Sequence, residues 1–585
     1  MVIAEKIAVA ETFSDWHEPA TWPGGGVPGV DDVVTVNTAV RLSRDVEVAE
    51  LRIEPGGRLL LDPTKAVRLA SRGNVVVKGR LTMRPANPQT VHVLSFPAVN
   101  EAAFVGGGMA VVAGDVGLWI VEDGILDAVG SAKLAWTRLQ GGVSAGASTI
   151  TVREAPVGWQ IGDRIAIVPT SPLRSDTSHS TDYDERAIAG ISGQVVTLSA
   201  PTQFAHPEVA GRWTAEVLNL SRNVRIEGVP DGKAHVMFLH GHRPQTVAHV
   251  ELTHLGPDKP HEGNGEPVSV LGRYALHFHF CGDGARGSVV EGVVAHDCGS
   301  HAFVPHSSHG ITFRSCVAHR TRGEQFWWDP GDLTHDTVWE RCLASRAERE
   351  GKSFSTTGFF LGAGARNVCR DSVAVGTQGP NSSGYFWNNG ANGVWDFNGC
   401  LAHNMTVSGI RVWQNSSWIH TIRNTTIYHA KAQGVSHGAY RNSYHYDQLV
   451  IHGCGVGIVQ TAQTGPSQDV DIDFDGTRGD QPIGQPLRFT GVQVTSCTLP
   501  LTLSNGALPA IGATVYRNCP FGSVLIAAPE RSRGAWDFVN CGLTPNRVTI
   551  VKAPADGMLL RAQDGASAWE MDQSRTVRTI PPFTT

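Results

Sequence analysis

Two histidines, His277 and His279, stand two residues apart in the run Gly272-Arg-Tyr-Ala-Leu-His-Phe-His279, with Arg273 four places before His277. On an extended strand, residues an even number apart share a face, so these three would form a row of one cation and two imidazoles. Such a pair can act as general acid and base. It can also hold a divalent metal, and a cation such as calcium is the cofactor expected if one is used. The architectural alternative is a buried histidine pair satisfied by neighbouring carbonyls. Asp283 follows closely, and Glu324, Asp329 and Asp332 lie further on. A glycoside hydrolase would want two of these carboxylates flanking the scissile bond. A lyase acting on uronic acids would instead want a base with a cation or metal, a role open to Arg273, His277 and His279. Both mechanisms stay open at this point.

His296, His301, His306 and His309 crowd the next stretch, and His306 lies 23 residues before Asp329. That is one coil of the repeat described below, which places an imidazole and a carboxylate on adjacent rungs about 4.8 Å apart. The candidate catalytic residues are therefore Arg273, His277, His279, Asp283, His306 and Asp329. Among aromatics, Trp327, Trp328, Trp387 and Trp413 follow the repeat strands on different coils, with Asn388, Asn389 and Arg411 beside them. Exposed indoles stack on sugar rings, while amides and a guanidinium bind hydroxyls and carboxylates. Alternation would bury every second aromatic in the core instead. There is no P-loop or HExxH.

These residues sit in a repeat. Val-Val-Ala-His296, Cys-Val-Ala-His319, Cys-Leu-Ala-Ser345, Ser-Val-Ala-Val375, Cys-Leu-Ala-His403, Thr-Ile-Tyr-His429 and Leu-Val-Ile-His452 align, with steps of 23, 26, 30, 28, 26 and 23 residues. Short strands at such intervals, with length variation confined to loops, indicate a β-solenoid. The fold expected is all-β: a right-handed parallel β-helix clearest from about 289 to 460. A histidine repeated on five coils is architectural by this reading, and Cys316, Cys342 and Cys400 form an inward packing ladder. Upstream, residues 16–83 read as short strands broken by glycine turns. The expected organisation is a β domain over 1–140, a β-rich insertion or linking segment over 141–215, the β-helix over 216–465 and further β coils over 466–585.

Composition agrees. The chain has 585 residues with Gly 66, only 17% charged residues and a net charge of −6, with no basic tract for nucleic acid. The opening residues do not read as a signal peptide, and no apolar run is long enough to span a membrane. The cysteine spacing is that of the repeat and not of a disulfide framework.

The N-terminal pattern resembles the G8 domain, on Trp22-Pro-Gly-Gly-Gly-Val-Pro28, Asp31-Asp32-Val-Val34, Leu51-Arg-Ile53, Gly56-Gly57-Arg-Leu59 and Gly79-Arg-Leu81. Arg273-Tyr-Ala-Leu-His277-Phe-His279, followed by Cys281-Gly-Asp283, resembles the Arg-Tyr-Pro-Ile-His-Phe-His segment of the cell-migration-inducing hyaluronidase family, whose architecture fibrocystin-type proteins share. Ala275 stands where proline is usual. The resemblance runs from about Trp16 to Cys342. It implies a pectate-lyase-like β-helix that engages a polysaccharide and, in the hyaluronidase members, cleaves hyaluronan. It also places His296 and His306 where histidine recurs and Asp329 at an acidic position. The function expected is a polysaccharide-binding and polysaccharide-cleaving protein, hydrolase or lyase, acting outside the cell or on a virus particle on a long, anionic glycan. The competing function is a non-catalytic bacteriophage tail or receptor-binding protein that recognises a cell-surface glycan, as a homotrimer or with other virion tail proteins.

Overall fold

The computed structural model describes residues 12–328, 333–351, 356–387, 394–412, 419–438, 443–460, 487–503, 513–528, 534–555 and 557–585. Of the residues singled out above, Asp329, Asp332, Asn388, Asn389 and Trp413 lie outside the described ones.

The chain winds as a parallel β-helix of three sheets, here 1, 2 and 3 in the order each coil visits them. One coil runs through Leu276–Gly282 in sheet 1, Val289–Glu291 in sheet 2 and Val294–Cys298 in sheet 3, then returns to sheet 1 at Phe303–Ser308. The rungs are in register and parallel, pairing Phe278 with Pro305, Val290 with Phe313 and Ala295 with Ala318. Alternation puts one side chain in and the next out. The inward ones merge into a single apolar core from Trp16 to Met571. Among the described residues the only helices are short 3-10 turns, and none is long and apolar enough to cross a membrane.

Residues 12–129 are the first coils of this stack, continuous with the centre through all three sheets. Their glycines have a steric reason. A Cβ on Gly57 would lie 2.1 Å from the Val36 carbonyl oxygen, and one on Gly79 equally close to that of Gly57. The corner from sheet 1 to sheet 2 therefore stacks backbone on backbone, which only glycine permits. The corner at the end of the sheet 3 strands takes positive φ on successive coils from His254 on, at Asp297, Arg320, Arg346 and Asn404 among others. That conformation costs a non-glycine residue about 1–2 kcal/mol. His429 takes this corner at φ 53°. Tyr428, not His429, pairs with His403 and His452, so the expected five-histidine slot holds a tyrosine there.

Between a sheet 2 strand, Ile125–Val129, and a sheet 3 strand, Val224–Glu227, the chain leaves the stack and forms a six-stranded antiparallel sheet. This unit packs its Ile165, Val217 and Leu220 on the outer face of sheet 3, against Val294, Val317 and Leu343. It also covers the repeated histidines: His319 Nε2 meets Glu185 at 3.3 Å and His403 Nε2 meets Glu216 at 3.0 Å. All ten cysteines are unpaired. Cys316, Cys342 and Cys400 are buried, with their thiols against backbone carbonyls. Antiparallel strands Met558–Asp564, Ser567–Asp572 and Val577–Ile580 close the C-terminal end of sheet 2.

Candidate functional site

The outer face of sheet 1 carries the candidate histidines. Its inner face is fixed by stacked rings, with centroids 4.9 Å apart for Phe303 and Phe326, 4.5 Å for Phe326 and Phe359 and 5.1 Å for Phe359 and Tyr385. With Leu276 and Phe278 also inward, the alternate residues His277, His279 and His306 must point outward. His279 and His306 are register partners on adjacent rungs. One rung further on, the ladder is interrupted: Phe326 joins its neighbours only through isolated bridges to Phe303 and Phe359.

Outward does not mean exposed here. His277 is 0%, His279 8% and His306 5% exposed. The long connection 96–117, which runs from sheet 3 to sheet 1 two coils earlier, reaches this face and brings Met109 Sδ to 3.3 Å from His279 Nε2. His277 Nδ1 donates to the Gly272 carbonyl at 2.8 Å, and its Nε2 has no partner. His279 Nδ1 and His306 Nδ1 are 3.2 Å apart. Burial, then the neighbouring imidazoles, holds His277 well below the usual histidine range and His279 down to about 3. Both are therefore neutral at pH 7.

Arg273 does not extend this row. The strand begins at Leu276, and Arg273 lies in the turn before it. The guanidinium is fully buried, donates to Asp115 at 2.7 Å and to the Gly107 carbonyl at 2.8 Å, and sits 4.7 Å above the Trp119 ring. Asp115 also accepts from the backbone of Val105 and Gly106. Arg273 thus ties down the covering connection, and its charge is already matched.

A second cluster lies at the corner from sheet 3 to sheet 1. His301, Glu324 and Glu350 bring one nitrogen and two carboxylate oxygens within 4.8 Å of one another. All three side chains are nearly closed off. His301 Nδ1 donates to the Glu324 backbone carbonyl at 2.9 Å and lies 3.6 Å from its carboxylate. Glu350 accepts from the Ser269 N–H at 2.7 Å, at the end of the hairpin formed by Asp258–Pro260 and Pro267–Ser269. The His301 ring stacks on Trp327 at 4.1 Å. Tyr274 lies 4.9 Å from His301 and 4.8 Å from His277, joining the two clusters.

The structure brings together His277, His279 and His306 of the expected catalytic residues, and places Glu324 in the second cluster with His301 and Glu350. Asp283 stands apart: it is on an exposed 3-10 turn, paired with Arg286 at 2.8 Å. Trp328 and Trp387, expected to stack on sugars, point into the core with 0% and 1% exposure, because they follow the inward phase of Phe326 and Tyr385. Trp327 is on the outer face, in a row with Phe360 and Phe386, and Arg411 follows Phe386 at 5.2 Å. Glu350 was not found from the sequence; it sits in a charged run, Arg346-Ala-Glu-Arg-Glu350, that reads as a solvated turn. Met109 gave no signal either, since only the fold brings it to His279.

Residues 232–442 match the family described as the CEMIP beta-helix. Fibrocystin-L of Mus musculus is 23% identical over 424 residues, which is 62% of this chain and 9% of that protein. The cell surface hyaluronidase CEMIP2 of Homo sapiens is 25% identical over 205 residues, 31% of this chain and 14% of that protein. The chain thus spans only a small part of these relatives. Among solved structures, the catalytic domain of a GH87 alpha-1,3-glucanase is 11% identical with a TM-score of 0.37, covering 74% of this chain and 90% of that one. The segment that matches the CEMIP beta-helix model, residues 232–442, holds both clusters.

Proposed function

We propose that this chain cleaves a long polysaccharide by hydrolysis, using the carboxylate pair Glu324 and Glu350 on the outer side of the β-helix. The observation that carries the reading is that pair beside His301 and the Trp327 ring, with carboxylate oxygens no more than 4.8 Å apart. Retaining glycosidases hold their two carboxyl groups about 5–5.5 Å apart and inverting ones about 6.5–9.5 Å, so retention is expected. Glu350, which accepts from the backbone N–H of Ser269 at 2.7 Å, is assigned as the nucleophile. Glu324, beside His301, is then the acid that protonates the leaving oxygen. Trp327, Phe360 and Phe386 form one outward row but are only 8%, 3% and 7% exposed, so they would give sugar rings an apolar track only once this face opens, and Arg411 suits a carboxylate-bearing sugar. In this reading the hairpin from 258 to 269 lifts to admit the chain, because its Ser269 closes over Glu350. A lyase mechanism is less well served: the cation it would draw on, Arg273, is already held by Asp115.

The test is incubation with hyaluronan, chondroitin sulfate, alginate and neutral glucans, followed by size-exclusion chromatography and reducing-end assay. Shortening of one of these with new reducing ends, and at least a hundredfold loss in Glu324→Gln and Glu350→Gln that stay folded, is expected. Unsaturated products would replace hydrolysis with elimination. Retention of a glycan with no shortening, with or without divalent cations, would leave a pure binding protein.

A further inference from the structure

We propose that His277, His279 and His306 form a binding site for one divalent transition metal of the zinc class. Their ligand nitrogens lie within 4.8 Å of one another on two adjacent rungs. Three histidines on rigid strands, with a fourth position left for water or a ligand oxygen, are a recurrent zinc arrangement.

Three details go beyond proximity. First, His277 donates its Nδ1 proton to the Gly272 carbonyl, so Nε2 carries a bare lone pair; it is fully buried and has no partner. A buried acceptor left without a donor calls for an explanation, and a carbonyl fixing the other ring nitrogen is the usual support of a metal-bound histidine. Secondly, His279 Nε2 faces the Met109 thioether, a weak acceptor, which directs Nδ1 toward His306. Thirdly, the two Nδ1 atoms are 3.2 Å apart. Two nitrogens bound about 2.0–2.1 Å from one tetrahedral ion are separated by about 3.3 Å. Without metal, one proton must be shared across this contact; a cation entering between the nitrogens displaces that proton to solvent. Calcium, the cation anticipated from the sequence, suits this site poorly, because it takes six to eight oxygen ligands and these donors are all nitrogen.

The site is independent of the glycan reading, and its test uses no substrate. Tag-free full-length protein, stripped with chelator and dialysed, is titrated with Zn2+ and with Co2+. One equivalent should bind, the cobalt form should show the visible absorption of a four- or five-coordinate centre, and zinc should raise Tm. His306→Gln and His279→Gln should each weaken Zn2+ binding at least tenfold and abolish the cobalt band. Circular dichroism and the metal-free Tm serve as fold controls, and whichever of the two variants stays folded decides the outcome. A folded wild-type protein that binds no zinc would overturn the proposal. So would zinc binding unchanged in a folded variant, or displacement of Zn2+ by equimolar Ca2+.

Discussion

Two adjacent indoles, Trp327 and Trp328, differ in role because one points out and the other in. The run Phe326-Trp327-Trp328 shows alternation but not its phase, because three aromatics in a row look alike in either phase. The phase is set by Phe326, which joins Phe303 and Phe359 in the inner stack. That leaves Trp328 packed between Trp339, at 5.5 Å, and Trp395, at 5.1 Å, in the core. Trp328→Ala should therefore destabilise the protein by about 3–5 kcal/mol, the range for removing a buried aromatic. Denaturant unfolding would read this, and glycan affinity per folded molecule should not change. A loss of affinity with stability intact would mean that Trp328, not Trp327, meets the sugar. The histidine pair was legible for the same reason that the tryptophans were not: His277 and His279 flank an inward phenylalanine in a strand whose apolar residues alternate cleanly.

At the scale of elements, the recurrence of histidine in one slot of sheet 3 could be read from the sequence, and its repetition marked it as architectural. Its partners could not. Glu185 lies 134 residues from His319, and Glu216 lies 187 residues from His403. No periodicity spans an inserted sheet that folds back over the stack. The strand starts and the coil steps were legible because each coil repeats the same inward pattern. The corner between sheets 3 and 1 was not, because its connections vary in length, from four residues after Val294–Cys298 to 22 after Val250–Thr253, and that corner holds His301, Glu324 and Glu350. The docking of the insertion can be tested at Glu216. It is fully buried between Arg138 Nε, at 2.9 Å, and His403 Nε2, at 3.0 Å. Burial alone would raise its carboxyl, but His403 and Arg138 outweigh that and hold it near 2. A depressed carboxylate stabilises the fold above its unfolded value of about 4.5, and that contribution fades as the pH falls toward 2. Glu216→Ala removes the buried partner shared by Arg138 and His403 and should cost about 3–5 kcal/mol at pH 7. Limited proteolysis should then cut first within residues 136–219, with the coils of the stack still resistant. Unchanged proteolysis and unchanged Tm would mean that the apolar contact with sheet 3 holds the insertion without the ion pairs.

The molecule as a whole is one continuous core with histidines buried both inside it, as His420 and His437 are beside Tyr444 and Tyr446, and under the segments that cover its outer faces, and this ties its stability to pH. Burial lowers six imidazoles far below their free value: His235, His279, His420 and His437 to about 3, and His249 and His429 to about 4. In the unfolded chain each takes up its proton near pH 6.5. As the pH falls below that value the unfolded state binds protons that the folded state refuses, so stability declines from about pH 6.5 down to about pH 4 and below. His296 works in the opposite sense: burial disfavours its charge, but Asp297 and Glu251 outweigh burial and raise it. Its contribution is full below about pH 6.5 and is lost as the pH rises through the folded value. One such group cannot offset six. Calorimetry at a series of pH values should show Tm falling steadily from pH 6.5 to pH 4, with more than one proton taken up on unfolding. A Tm constant across that interval would show that these imidazoles reach water in the folded protein, which would also remove the reason for treating His279 as neutral at its site. Bound zinc should steepen the decline, because protons then compete with the metal for the same nitrogens. The zinc-loaded and stripped proteins should therefore differ most in Tm near neutral pH and converge by pH 4.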